Sequence, residues 1–201
     1  MKTLIVYAHP ETNGHGPFTL KTVEEWHKKN QIDYELIDLY KIKYDPVLHE
    51  DEHYTAGNVK ITEQNKKFQE KIRDTERLIF IYPVWWGSMP AIMKGFFDRV
   101  FTAGFAFNFR PAPIFSKYIG GIPIQLLKGK KAAVFLTTGT IKFFCFLVMG
   151  DRFKDLIKRD ILGFFGIKAK VFHTGKATLL NAEQQEKIRR NVKKGMNYLY
   201  N

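Results

Sequence analysis

The sequence predicts an α/β fold: a five-stranded parallel sheet of order 2-1-3-4-5 with helices on both faces. Three observations carry that reading. Short apolar runs rich in β-preferring residues recur at residues 3–8, 33–39, 78–82, 132–137 and 168–173. Segments of helical periodicity lie between them, giving the β-α-β alternation of parallel sheets. The runs at 78–82 (LIFIY) and 132–137 (AAVFLT) are continuously apolar, as strands covered on both faces are. In such a sheet the switch point falls between the first and third strands, and ligands bind beyond the strands' carboxyl ends there.

The first strand, residues 3–8, is the central one. It runs into HPETNGHGPF, a turn-rich loop, and then a helix over 18–29. A strand, a glycine-bearing loop and a helix N-terminus together make an anion site, because the first-turn N–H groups lack partners and carry partial positive charge. His9, Thr12, Asn13 and His15 add side-chain donors around Gly14, with Phe18 opening the helix. The spacing matches neither the dinucleotide nor the P-loop glycine pattern.

Residues 33–39 (DYELIDL) alternate and are more polar, which suits an edge strand. Residues 40–58 lack a clear period, and Asp45-Pro46 marks a turn. His49, Glu50, Asp51, Glu52 and His53 have metal-ligand chemistry, but a solvated charged loop has the same composition, and no metal is expected. A charged amphipathic helix follows over 61–73.

After the third strand come Pro83, Val84, Trp85, Trp86, Gly87 and Ser88, then Pro90 and a helix with Ile92, Phe96, Phe97 and Val100 on one face. Ser88 is the expected cap and Pro90 the helix-start signal. Paired tryptophans in a strand-to-helix turn either pack under a neighbouring loop or meet a flat aromatic ligand. Residues 109–130 hold prolines, glycines and apolar residues without strict period, and are longer than a usual connection. They suit a flap, an interface arm or a membrane-surface contact.

The fourth strand ends in Thr137, Thr138, Gly139 and Thr140, whose hydroxyls suit a ring's polar edge or a plain helix cap. A helix over 151–165, closed by Gly166, leads to the fifth strand. The last helix spans 182–199, with Asn181 as its cap and many Lys and Arg, read as cations toward a helix C-terminus. Residues 1–201 read as one domain. The charge of +12 favours anionic partners. The lone Cys145 excludes an internal disulfide, reads as a buried thiol, and fits a cytoplasmic setting. No run approaches the length needed to span a bilayer.

The residues at 83–107, PVWWGSMPAIMKGFFDRVFTAGFAF, resemble the flavin-binding turn, helix and following loop of the flavodoxin-like NAD(P)H:quinone oxidoreductases. DPVL at 45–48 is similar to a loop of the same family. The resemblance implies a flavodoxin-like three-layer sandwich and a bound flavin, FAD or FMN. His9 would begin the phosphate loop, and Thr137, Thr138 and Gly139 would lie along the ring. The chain departs from the family in NGHG at 13–16, in Thr140 for a second glycine, and in Cys145 and Asp151, which fall near a Tyr/His pair that some relatives carry. The implied reaction is two-electron, ping-pong hydride transfer from NADH or NADPH through the flavin to a quinone or other flat acceptor. No side chain is a nucleophile. Trp86, Phe105 and Phe107 are the expected acceptor-pocket walls. A homodimer is implied, each site completed by its partner. The alternatives are a regulatory flavoprotein of a membrane potassium-efflux system, with a peripheral transporter or membrane contact, and a flavodoxin-type electron carrier. No nucleic-acid module is present.

Overall fold

The computed structural model describes residues 2–53, 60–110 and 121–201, without the side chain of Met149. Part of the irregular 40–58 segment and the middle of the 109–130 segment therefore lie outside the described residues.

The main sheet contains β1 (Thr3–Tyr7), β2 (Tyr34–Asp38), β3 (Arg77–Pro83), β6 (Lys131–Thr137) and β7 (Lys168–Thr174), all parallel, in the order β2-β1-β3-β6-β7. Counting this sheet's strands alone, that is the expected 2-1-3-4-5. The two extra labels belong to an antiparallel hairpin, β4 (Phe107–Arg110) with β5 (Ile122–Gln125), that the irregular 109–130 segment did not announce.

Strand periodicity divides the core in two. Leu4, Val6, Leu78, Phe80, Ala132 and Val134 face one layer, made with α2 (Glu63–Arg73), α3 (Ala91–Val100) and the 152–163 helix. Ile5, Tyr7, Ile79, Ile81, Ala133 and Phe135 face the other, made with α1 (His15–Lys29) and α6 (Ala182–Tyr200). Successive strand residues point to opposite faces, so a strand buried on both must be apolar throughout. That is why these strands read as continuous runs.

Several helix ends differ from expectation. α1 starts at His15 rather than 18, because Gly14, at φ 101°, turns the chain into the helix as its N-cap. The N-cap of α3 is Pro90; Ser88 is used elsewhere. The helix over 151–165 is α5 (Arg152–Asp155) continued by a π-helical stretch, Leu156–Gly163. The apolar run before it forms α4 (Lys142–Met149), with Phe143, Phe144, Phe146, Leu147 and Val148 exposed. Asn181 caps α6 as expected, accepting from the Gln184 N–H at 2.9 Å. The last turn of α6 carries no cation, however. Its Lys and Arg lie farther back along the helix, so the dipole does not account for them.

The charged loop before α2 is organised by Arg99. This buried side chain donates from Nη2 to Glu52 Oε1 at 2.8 Å, and its Nη1 lies 3.0 Å from Asp45 Oδ2. His49 Nε2 is 2.8 Å from the same Asp45 oxygen. Among the described residues no helix is long and apolar enough to cross a membrane.

Candidate flavin site

Three strand-to-helix loops meet beyond the carboxyl ends of β1, β3 and β6. They line a cleft of about 200 Å³ with His9, Glu11, Asn13, Gly14 and His15 on one side. Pro83, Val84 and Trp85 form the floor, and Thr137, Thr138 and Gly139 the far side. Parallel pairing brings them together: Ala8 N–H donates to Ile81 at 3.0 Å, and Val84 N–H to Thr137 at 2.8 Å.

The first loop is built for an anion. The α1 N-terminus has no side-chain cap, so the first-turn N–H groups of His15 and Gly16 are open. Gly14 has open space where a Cβ would sit, and a Cβ on Gly16 would meet the His9 ring at 2.6 Å. Only glycine lets the His9 imidazole lie against this turn. His9 and His15 are both held below the ordinary histidine pKa by burial. Neutral rings and backbone N–H groups are therefore the donor set. His15 Nε2 is buried with no protein partner. A buried polar atom without a partner costs about 1–3 kcal/mol, and a bound group with acceptor or donor oxygens removes that cost.

The second loop is a two-residue turn. Trp85 and Ser88 exchange backbone hydrogen bonds of 2.9 and 3.0 Å, with Trp86 at φ 52° and Gly87 at φ 74° between them. Two successive positive φ values define a type I′ turn. A tryptophan in the left-handed region is strained by about 1 kcal/mol or more, and here it leaves the Trp86 side chain wholly in solvent. Trp85 is half-exposed at the cleft.

The third loop differs from expectation. Thr138 Oγ1 donates to the Thr140 carbonyl at 2.9 Å and lies 2.8 Å from His173 Nε2. Its hydroxyl is turned into the protein and is not free for a ring edge. Gly139 faces open space.

Of the residues expected at the cofactor, His9, Asn13, Gly14, His15, Pro83, Val84, Trp85, Thr137, Thr138 and Gly139 share this cleft. Thr12 lies in an adjoining groove with His9 and Glu11, and Phe18 packs against the α1–α6 core beneath Arg189. Gly87 lines a groove beside α4, Trp86 is fully exposed and does not line the cleft, and Thr140 serves through its carbonyl. The expected acceptor walls need correction. Phe105 is buried against Phe101, and Phe107 packs on Phe109, Phe164 and Phe165. Phe105 belongs to the core, and Phe107, the first residue of the β4–β5 hairpin, is partly buried against it because the hairpin packs on the end of the π-helical stretch.

Glu11, Ala177, Thr178 and Leu180 line the cleft and were not expected there. The last three come from the β7–α6 loop, which is stitched to the third loop: Thr138 N–H donates to Thr174, and Ala177 N–H to Thr138. Its turn composition at a strand's carboxyl end was the available signal.

The residues present fit a flavin nucleotide's polar and apolar parts. Open N–H groups and an unpartnered imidazole face one end of the cleft, and an indole with main-chain groups faces the other.

The chain is similar to known proteins over most of its length. The chain is 31% identical over 141 residues to a Haemophilus influenzae protein named "uncharacterized NAD(P)H oxidoreductase", covering 70% of this chain and 65% of that one. It spans 63% and 53% of the length of two mammalian quinone dehydrogenases. It is 30% identical over 179 residues to an FMN-dependent NADH:quinone oxidoreductase of Clostridium perfringens, covering 87% and 84% of the two chains. The crystal structure of Smu.1420 from Streptococcus mutans superposes with a TM-score of 0.81 at 28% identity, over 98% of this chain and all of that one. Residues 1–199 match the family described as the flavodoxin-like fold, and with relatives of this kind the chain belongs to the flavodoxin-like family that includes the NAD(P)H:quinone oxidoreductases.

Proposed function

We propose that this protein is a flavin-dependent NAD(P)H:quinone oxidoreductase, with FMN as its flavin. The observation that carries the reading is the convergence of three strand-end loops on one cleft with an open helix N-terminus and the unpartnered His15 Nε2. The relatives add the reaction class, since one of which this chain covers 84% is an NADH:quinone oxidoreductase that is FMN-dependent by name.

When bound, a flavin supplies two-electron hydride chemistry. The protein's part is to bind and orient. The α1 N–H groups, Asn13 and His15 would take the phosphate, and the depressed pKa of His9 and His15 keeps both rings neutral near pH 7. Val84 and Trp85 would place main-chain groups and an indole against the ring. Val84 N–H is committed to Thr137, so it fixes the turn rather than contacting a ligand. Glu11 lies at the phosphate side, where its charge opposes anions and lowers affinity. Neither Cys145, which is buried, nor Asp151, which pairs with Lys154, replaces the family's Tyr/His pair in the cleft. Proton delivery to the acceptor would therefore come from solvent.

The partner is a second copy of this chain. Five large apolar side chains of α4 are exposed, and a groove lined by Gly87, Leu147, Val148, Gly150, Arg152 and Phe153 joins α4 to the tryptophan turn. Such a patch is more than a monomer ordinarily leaves in water, and it adjoins Gly87 of the tryptophan turn, whose Trp86 is fully exposed.

The test is reconstitution. The purified protein should retain or regain a yellow chromophore, identified as FMN by mass, and should oxidise NADH or NADPH repeatedly with a soluble quinone. A chain that stays colourless with excess FMN and FAD overturns the proposal; a flavin-loaded chain without turnover points to an electron carrier instead.

A further inference from the structure

Next to the flavin cleft, across one loop, is a second cavity of about 320 Å³. It is lined by Ile141, Lys142, Thr174, Gly175, Lys176 and four α6 residues: Lys187, Arg190, Asn191 and Lys194. Those four stand at positions i, i+3, i+4 and i+7, so one helical face turns three cations toward the cavity. Two more are Lys142, the first residue of α4, and Lys176 of the β7–α6 loop, and no carboxylate lines it.

A basic helix face is often only solvated, and four features argue for more here. Lys187 and Arg190 are paired along the helix with Glu183 and Glu186, and Lys176 feels the Glu183 charge, but among the described residues Lys142, Lys176 and Lys194 make no ion pair within 4.0 Å. Lys142 is pushed below the ordinary lysine pKa, first by desolvation and then by Lys154, Lys187 and Lys194. Crowded like charge of this kind is unfavourable until an anion enters. The α4 N-terminus, which has no side-chain cap, begins at the cavity with Lys142. The loop is also held tightly. A Cβ on Gly175 would meet Thr140 O at 2.8 Å and Lys142 N at 3.0 Å, and Lys176 sits at φ 60° with its N–H on Thr140 O at 3.1 Å. Asn191 fixes the far wall by donating to Thr174 Oγ1 at 2.9 Å.

We propose that this cavity binds a compact, multiply charged phosphate: a soluble di- or triphosphate group, free or carried on a small molecule. The volume is about ten water molecules' share, which suits two or three linked phosphates better than one. The flavin reading neither requires nor supplies this site, though both sites share the 174–178 loop.

The probe is inorganic tripolyphosphate, titrated calorimetrically into the purified protein with excess FMN present to occupy the first cleft. The expected result is one-to-one binding that weakens with salt, since each phosphate contact releases counterions. The Lys142→Gln/Lys194→Gln double variant should lose at least tenfold in affinity, while Lys193→Gln, on the same helix but outside the cavity, should not. Circular dichroism establishes that all are folded. No saturable binding at millimolar probe, or binding that the double variant retains, overturns the proposal. So does duplex DNA binding more tightly than tripolyphosphate with the same sensitivity, which would make the face a general polyanion surface.

Discussion

Thr138 Oγ1 and His173 Nε2 are 2.8 Å apart, joining the end of β6 to the end of β7 beneath the cleft. The Thr138 hydroxyl spends its proton on the Thr140 carbonyl, so His173 must be the donor and carry its proton on Nε2. Its Nδ1 is then a buried acceptor without a partner. Burial, with Lys154 and Lys142 adding to it, lowers the His173 pKa to about 4.

A pH dependence follows from that neutral imidazole. Between the unfolded value near 6.5 and the folded value near 4, the unfolded chain binds more protons. Stability therefore rises with pH through that window and is fully present above it. Burial also depresses His9, His15 and His27, which act with the same sign. Thermal unfolding followed by circular dichroism should show a falling Tm from pH 7 to pH 4.5, and His173→Gln should flatten part of that fall. An unchanged slope in the variant would remove His173 as a cause.

Gly16 tests the phosphate loop. In Gly16→Ala the new methyl lies 2.6 Å from His9 Cδ2, so the imidazole must leave the α1 N-terminus. FMN affinity should fall tenfold or more, while stability changes by no more than about 1–3 kcal/mol, the usual cost of a small overpacking. Gly95→Ala is the contrasting case: its Cβ would sit 2.2 Å from the Pro46 carbonyl oxygen, a backbone contact that cannot swing aside. It should lose more stability than Gly16→Ala. Fluorescence titration of flavin and denaturant midpoints separate the two effects.

The contrast between what was legible and what was not has a physical basis. Strand order followed from continuous apolar runs, because burial on both faces leaves no polar positions. The three loops followed from topology, since the carboxyl ends of neighbouring parallel strands cannot be far apart. Side-chain direction was another matter. TTGT has the same letters whether Thr138 faces a ligand or His173, and the choice is made by β7, a strand more than thirty residues away. Phe105 and Phe107 read as pocket walls because they follow the tryptophan turn, yet Phe105 is buried in the core and Phe107 packs half-buried on Phe164 and Phe165. The cations of α6 lay in plain view at three- and four-residue spacing. Reading them as a dipole effect missed that they share a face.

The tryptophan turn gives a prediction opposite in sign to most deletions. Trp86 is fully exposed and held at φ 52°. Trp86→Gly removes no burial within one chain and relieves the left-handed strain, so the monomeric fold should gain on the order of 1 kcal/mol, less the flexibility that glycine adds to the unfolded chain. Flavin retention or quinone turnover should weaken, because the indole has no structural work inside the chain. A loss of stability in a monomeric variant would show that the strain is compensated by a contact.

Glu52 gives a large, local effect. Its carboxylate receives the buried Arg99 guanidinium at 2.8 Å, and both side chains are nearly inaccessible. Glu52→Gln leaves a buried cation with only exposed Asp45 to balance it, and breaking such a pair costs about 3–5 kcal/mol. Denaturant unfolding should show that loss with little dependence on salt, since water is excluded there. A loss under 1 kcal/mol would mean that Asp45 carries the charge balance.

The exposed face of α4 provides the last test. Phe146 and Leu147 are each about two-thirds exposed on a helix with no polar residue beyond Lys142. If a second copy covers them, Phe146→Asp with Leu147→Asp places charges in that interface and should convert a dimer to a monomer, read as a halving of mass by light scattering. The monomer should unfold at an unchanged or higher midpoint once concentration is accounted for, because neither side chain is buried within one chain. Quinone turnover should fall, since the groove beside Gly87 and Leu147 adjoins the tryptophan turn. A wild-type chain that is already monomeric at micromolar concentration, yet sediments with anionic vesicles and is released by the same two substitutions, would assign this face to a membrane surface instead.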